Sequence, residues 1–282
     1  MLATLIIVFR EIIEAGLIVG IVLAASTGVR GRSLWVGYGV AVGVLGACLV
    51  AAFAGRIGAL FQGAGEDLFN ATILALAVIM LTWHNVWMAS HGRAMALEMR
   101  QVGAQVASGE RPLFALSIVV GVAVLREGSE IVLFLYGIAM AGGASTGAML
   151  IGGVLGLIGG VAVTALMYFG LLAIPAHRLF AVTAGLITLL AAGLAAQAVV
   201  FVQQAGYADM LTNQMWNSSA ILSQDSLVGR LLHTLIGYSD RPNGAQLVVY
   251  LATVIVIVVL MKAVRAAHHR HHSAKRRHVP AE

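Results

Sequence analysis

Long apolar runs alternate with short polar breaks along this chain, and the runs are too long for strands. A helix needs about 20 mainly apolar residues to cross a bilayer. The pattern predicts seven such helices, at 2–24, 34–55, 68–88, 113–140, 147–172, 179–203 and 246–264. The stretch from Leu247 to Met261 is apolar all round, as a helix facing lipid should be. The alternating segments of about 10 residues that mark a membrane β-barrel are not seen. The longest polar stretch, 204–244, carries Trp216, His233 and Tyr238 and reads as an outer cap, with a short interfacial helix within 218–236.

Composition sharpens this picture. Hydrophobic residues make up 60% of the chain and charged residues 10%, against about 25% charged in a soluble domain. A soluble globular protein is excluded, and so is disorder. The net charge of +5 gathers toward the C-terminus, so it does not point to nucleic acid. A single cysteine, Cys48, excludes a disulfide framework and a thiolate metal cluster. No His-Glu-x-x-His, Gly-x-Ser-x-Gly or Walker sequence is found, so neither an enzyme nor a self-contained ATP-driven pump is expected. The first run carries Arg10, Glu11 and Glu14 and lacks a basic leader, so it reads as a retained helix rather than a signal peptide.

Basic residues set the expected topology. Arg30, Arg32, Arg93, Arg100 and Arg111 fall on one side together with the C-terminal Lys275, Arg276 and Arg277, while only Arg56, Arg230 and Arg241 fall on the other. The N-terminus is therefore expected outside and the C-terminus in the cytoplasm of a bacterial inner membrane. The expected organisation is a transmembrane domain at 1–264 and a basic, His-rich cytoplasmic tail at 265–282. Within the domain lie a first repeat at about 2–88, a second at about 113–203, the outer loop 204–244 and a seventh helix at 246–264.

The repeat is visible in the charges. Arg10-Glu11-Ile12-Ile13-Glu14 opens the first unit and Arg126-Glu127-Gly128-Ser129-Glu130 the second. Each is followed by a glycine-rich helix. Helices 1 and 4 are expected to run in opposite directions, so the predicted fold is an all-α polytopic membrane protein, an inverted 3+3 repeat plus one C-terminal helix. Transporters built this way hold their cargo near the midplane where the halves meet. Positions i, i+3 and i+4 share a helix face, so each motif presents its acids together. Each charge costs roughly 2.5–3.5 kcal/mol at a helix centre on insertion scales. Six such charges exceed what helix locking would require. Glu11, Glu14, Glu127 and Glu130 are the expected metal ligands, with Arg10 and Arg126 holding the carboxylates in place.

Oxygen donors select hard cations such as Fe(III), Mn(II), Ca(II) or Mg(II). Further candidates for entry or exit sites are Glu66 and Asp67 at the start of the third helix, and His84 further along it between Trp83 and Trp87. The bland readings are a helix N-terminal acid for Asp67, an interior histidine for His84 and interface anchors for the two tryptophans. The tail histidines His268, His269, His271, His272 and His278 read as part of a basic stretch on anionic headgroups. Asp209, Asp225 and Asp240 suit an outer electrostatic funnel.

At the two motifs the sequence resembles the high-affinity iron permeases of fungi and bacteria, the oxidase-dependent iron transporters. FREIIEA from Phe9 to Ala15 and LREGSEIVLF from Leu125 to Phe134 carry the likeness, which extends over nearly the whole chain. One lone Arg-Glu-x-x-Glu is a weak signal; two copies in apolar spans at inverted positions are a strong one. The resemblance implies import of iron, with Fe(III) as the transported substrate, no permanently bound cofactor, and an extracytoplasmic iron-binding or iron-oxidising partner protein. Two departures stand out. Ile12 and Ile13 replace the common Gly-Leu, and Asn70 stands where the family often has a second outer acid. The alternatives are import of another divalent metal such as Mn or Pb, and proton-coupled transport of an organic solute.

Overall fold

Apolar periodicity and a scarcity of proline turn nearly every run into helix. The computed structural model describes residues 1–60, 66–140, 145–170, 176–207 and 210–277. Eight helices are found among them: α1 (Leu2–Ala25), α2 (Arg32–Leu60), α3 (Glu66–Ala107), α4 (Phe114–Met140), α5 (Thr146–Tyr168), α6 (Ala176–Gln204), α7 (Leu227–Ile236) and α8 (Gly244–Arg277). Of the residues singled out above, Asp209, His278 and the side chains of Arg56, Glu66, Arg93, His268, His269, His271, His272, Lys275, Arg276 and Arg277 lie outside the described residues.

Among the described residues five helices are long and apolar enough to cross a membrane, with spans at Arg32–Ala54, Asp67–Met88, Thr146–Tyr168, Ala181–Gln204 and Gly244–Val264. α1 and α4, with 24 and 27 residues, are also long enough, but each carries the three charges of its motif. Leu45, Leu49 and Phe53 of α2, Leu150, Val154 and Ile158 of α5, and Leu251 and Ile255 of α8 are exposed. Such faces suit contact with lipid, and the chain is a multi-pass membrane protein.

Three boundaries differ from expectation. The third helix does not stop near 88 but continues to Ala107. The added segment is polar, so a span criterion ends before it. It is nevertheless rich in Ala, Met, Gln and Arg, good helix formers, and no proline interrupts it. α8 runs on to Arg277 for the same reason, so the tail is largely helical. The cap helix begins only at Leu227. The Ser226 side chain accepts from Gly229 N to start it, and Gly237 in the left-handed region (φ 68°) ends it. Before it, Ser218 anchors a separate turn, with its hydroxyl 2.7 Å from Tyr238 Oη.

The packing of α1 and α4 rests on glycine. A Cβ on Gly156 of α5 would lie 2.7 Å from Leu5 O, and one on Gly160 would lie 2.7 Å from Ile12 Cγ2. A Cβ on Gly152 would collide with Met1 O, and one on Gly16 of α1 would lie 2.6 Å from Thr164 Cγ2 of α5. Each four-residue step along α5 thus meets a four-residue step along α1, so the two helices run parallel. α2 and α4 pair in the same manner. A Cβ on Gly39 would lie 2.7 Å from Ser117 O, one on Gly43 2.8 Å from Gly121 O, and one on Gly128 2.6 Å from Ala47 Cβ. Small residues in such rows let backbones approach closely where lipid supplies no hydrophobic drive.

The two pairings treat their motifs reciprocally. Gly128, the third motif residue on α4, receives Ala47 from α2. On α1 the third motif residue is Ile12, and the space is supplied by Gly160 of α5. Losing glycine from the first motif therefore does not prevent close approach, because the glycine sits on the partner helix.

Two apolar layers flank the motif level. One, toward the N-terminal end of α1, gathers Ile7, Leu74, Leu81, Phe134, Ile138 and Ile187. The other, toward the C-terminal end of α1, gathers Ile18, Val22, Val36, Val106, Leu116 and Val120. Val106 comes from the extension of α3, where a Cβ on Gly103 would lie 2.6 Å from Ala25 Cβ.

Candidate metal centre

The centre is built where α1, α3 and α4 meet. Spacing of three and four residues brings Glu11 and Glu14 to one face of α1, and Glu127 and Glu130 to one face of α4. Arg10, Glu11, Glu14 and Glu127 are buried, at 3%, 0%, 3% and 2% exposure. Such burial of charge is tolerated only with partners or a bound ion.

The arginines supply part of the compensation. Arg10 Nη1 donates to Glu11 Oε1 at 3.1 Å, and Nη2 lies 2.9 Å from Glu14 Oε1. On α4, Arg126 Nε donates to Glu130 Oε1 at 3.1 Å and lies 3.9 Å from Glu127 Oε1. The two arginines are not equivalent. Arg126 is 32% exposed, and its guanidinium carbon lies 4.2 Å from the centroid of the Trp87 ring. Trp87 itself stacks on His91, with centroids 5.1 Å apart. The expectation of Trp87 as a plain interface anchor is thereby revised, whereas Trp83, 71% exposed, fits it.

His84 lies in the interior, as the reading of an interior histidine expects, against the acids of both motifs. Its Nδ1 lies against Glu130 Oε2, while Nε2 faces Glu14 Oε2 at 3.5 Å and Glu11 Oε2 at 3.9 Å. The next residue fixes this orientation. Asn85 Nδ2 donates to Ala184 O at 3.0 Å and to Thr188 Oγ1 at 3.1 Å, tying α3 to α6. Consecutive helix residues point about 100° apart, so anchoring Asn85 on α6 turns His84 toward α1 and α4. The ring edge also meets Phe134, with centroids 6.3 Å apart at 85°.

Ligand atoms from Glu11, His84, Glu127 and Glu130 all lie within 4.8 Å of one another. Glu11 Oε2 and Glu127 Oε2 are buried without a hydrogen-bond donor. With four carboxylates and two guanidiniums the cluster has a formal charge of −2, counting His84 neutral. Buried acceptors that no donor satisfies, at a net negative point, are what a cation would complete. Asp67 stands apart. It lies at the start of α3, about 25 Å along the helix axis from His84. Asp240 is absorbed in the cap fold, where its Oδ2 accepts from Gln224 N at 3.2 Å.

Known proteins are similar to this chain in sequence. The family model described as "Iron permease FTR1 family" matches residues 1–273. The ferrous iron permease EfeU of Escherichia coli is 32% identical over 260 residues, covering 90% of this chain and 93% of that protein. The protein of the same description from Shigella sonnei is 31% identical over 260 residues with the same coverage. That from Yersinia pestis is 29% identical over 259 residues, covering 90% of this chain and 91% of its own. No solved structure matches the chain. A match over almost its whole length, with both charged motifs inside it, shows that this chain belongs to the FTR1 iron permease family.

Proposed function

We propose that this chain imports iron across the bacterial cytoplasmic membrane, binding it between the Arg-Glu-x-x-Glu faces of α1 and α4. The observation that carries the reading is the convergence of Glu11, Glu127 and Glu130 within 4.8 Å, with buried carboxylate oxygens that no donor reaches. Arg10 holds Glu11 and Glu14 from the same helix, and Arg126 holds Glu130. The family and the names of the relatives agree with iron as the cargo.

Seven crossings and an inverted repeat are the topology we propose. The parallel pairing of α1 with α5 and of α2 with α4 supports it, because a two-fold relation between the units exchanges those pairs. The distribution of basic residues supports an N-terminus outside and a C-terminus in the cytoplasm. Apolar layers on both sides of the charged level favour alternating access over an open pore. Outer acids collect the ion, the motif acids exchange for its ligands, and relative movement of the halves releases it inward. An inside-negative potential contributes about 2.3 kcal/mol per charge per 100 mV. An extracytoplasmic iron-binding or iron-oxidising protein would deliver the ion.

The proposed cargo is Fe(III), for which four carboxylates at net −2 are a suitable environment. A second reading, Fe(II), is favoured by the imidazole of His84 at the same point and by the description of the relatives as ferrous iron permeases. Radioactive iron uptake with Fe(II) and Fe(III) supplied separately tests both. Wild type should take up one form strongly, and Glu127→Gln should take up neither. Undiminished uptake by Glu127→Gln at equal membrane abundance overturns the reading.

A further inference from the structure

We infer that His84 is itself a ligand to the transported ion, joining Glu11, Glu127 and Glu130, while Glu14 is a positioning residue. The inference rests on the permease reading above and adds the donor that sets its metal preference. Three observations carry it. His84 is buried at 3% exposure and comes from α3, outside either motif. Its ligand atom falls within the same 4.8 Å as those of the three carboxylates. Its ring is held ready by the Asn85 anchor on α6 and by the edge of Phe134. Glu14, by contrast, falls outside the set whose ligand atoms lie within 4.8 Å of one another, and its Oε1 lies 2.9 Å from Arg10 Nη2, so it orients that guanidinium.

The chemical consequence is selectivity. A site of carboxylates alone suits Mg(II), Ca(II) and Mn(II) as well as iron. Imidazole suits iron and the later transition metals. One nitrogen among three carboxylates tilts the site toward iron and away from the abundant hard cations. An imidazole that only neutralised neighbouring acids would give no such tilt.

Iron uptake by cells carrying the full-length chain tests this with His84→Gln, His84→Asn and Glu127→Gln at matched membrane abundance. Wild-type uptake should withstand excess Ca(II), Mg(II) and Mn(II). Both His84 variants should show a KM for iron raised at least about tenfold, and Mn(II) and Ca(II) should now compete. Pulsed EPR of purified protein loaded with one equivalent of Fe(III) should show nitrogen coupling in wild type that His84→Gln loses. If either variant keeps the wild-type KM and competition profile, or if wild-type protein shows no nitrogen coupling, the inference is overturned. Active Glu127→Gln would instead remove the permease reading itself. Inactive Glu127→Gln beside wild-type-like His84→Gln would remove only the role of His84.

Discussion

The Arg126 guanidinium carbon sits 4.2 Å from the centroid of the Trp87 ring, so the second motif is held by α3 as well as by its own Glu130. Cation–π contacts of this kind contribute about 0.5–2 kcal/mol, more when desolvated. A double-mutant cycle with Trp87→Leu and Arg126→Gln should give a coupling energy of about 0.5–2 kcal/mol in detergent unfolding. Additive effects would show that the contact contributes nothing.

Arg10 should behave differently from Arg126. It is 3% exposed and faces Glu11 and Glu14 at 3.1 and 2.9 Å. Arg10→Gln leaves both carboxylates without their counter-charge, and breaking a buried pair costs about 3–5 kcal/mol. Arg126, 32% exposed, should cost less on the same change, about 1–2 kcal/mol. Unfolding curves of the two variants check the ranking; equal losses would contradict it.

Gly160 and Ile12 form a matched pair. A Cβ on Gly160 would lie 2.7 Å from Ile12 Cγ2 and 3.1 Å from Phe9 O. Gly160→Ala should destabilise by about 1–3 kcal/mol through overpacking and lower iron uptake. Adding Ile12→Gly, which restores the arrangement seen between Gly128 and Ala47, should recover part of the loss. Thermal unfolding and uptake of the double variant measure that recovery, and its absence would show that the two sites do not share one packing logic.

The His-rich end of α8 is assigned no part in transport. Truncation after Val264 should leave the KM for iron uptake unchanged and reduce binding to anionic vesicles, since each basic residue near such a surface contributes about 1 kcal/mol. A raised KM in the truncated protein would instead give the histidines a role in metal handling.

Much of this was legible before any coordinates. Glu11, Glu14, Glu127 and Glu130 stand out because charge in an apolar run is costly and helical spacing gathers each pair on one face. Glycines 152, 156 and 160 announce a close helix contact by their spacing alone. His84 was not legible as a centre residue. One histidine between two tryptophans looks like packing, and only the docking of α3 against α1, α4 and α6 brings its ring to the acids. The continuation of α3 to Ala107 escaped for a different reason. Span length limits an apolar segment, but backbone helicity continues wherever helix formers follow without proline. The reciprocal placement of Gly128 and Gly160 could be read only from contacts, because the compensating residue lies on another helix.

The central claim is that acids from α1 and α4 share one ion. Anomalous diffraction at the iron edge from crystals of iron-soaked full-length protein tests it most directly. The account predicts one peak within coordination distance of Glu11, Glu127 and Glu130, absent in Glu127→Gln. A peak confined to the cap or the tail, or two separate peaks on α1 and α4, would contradict it.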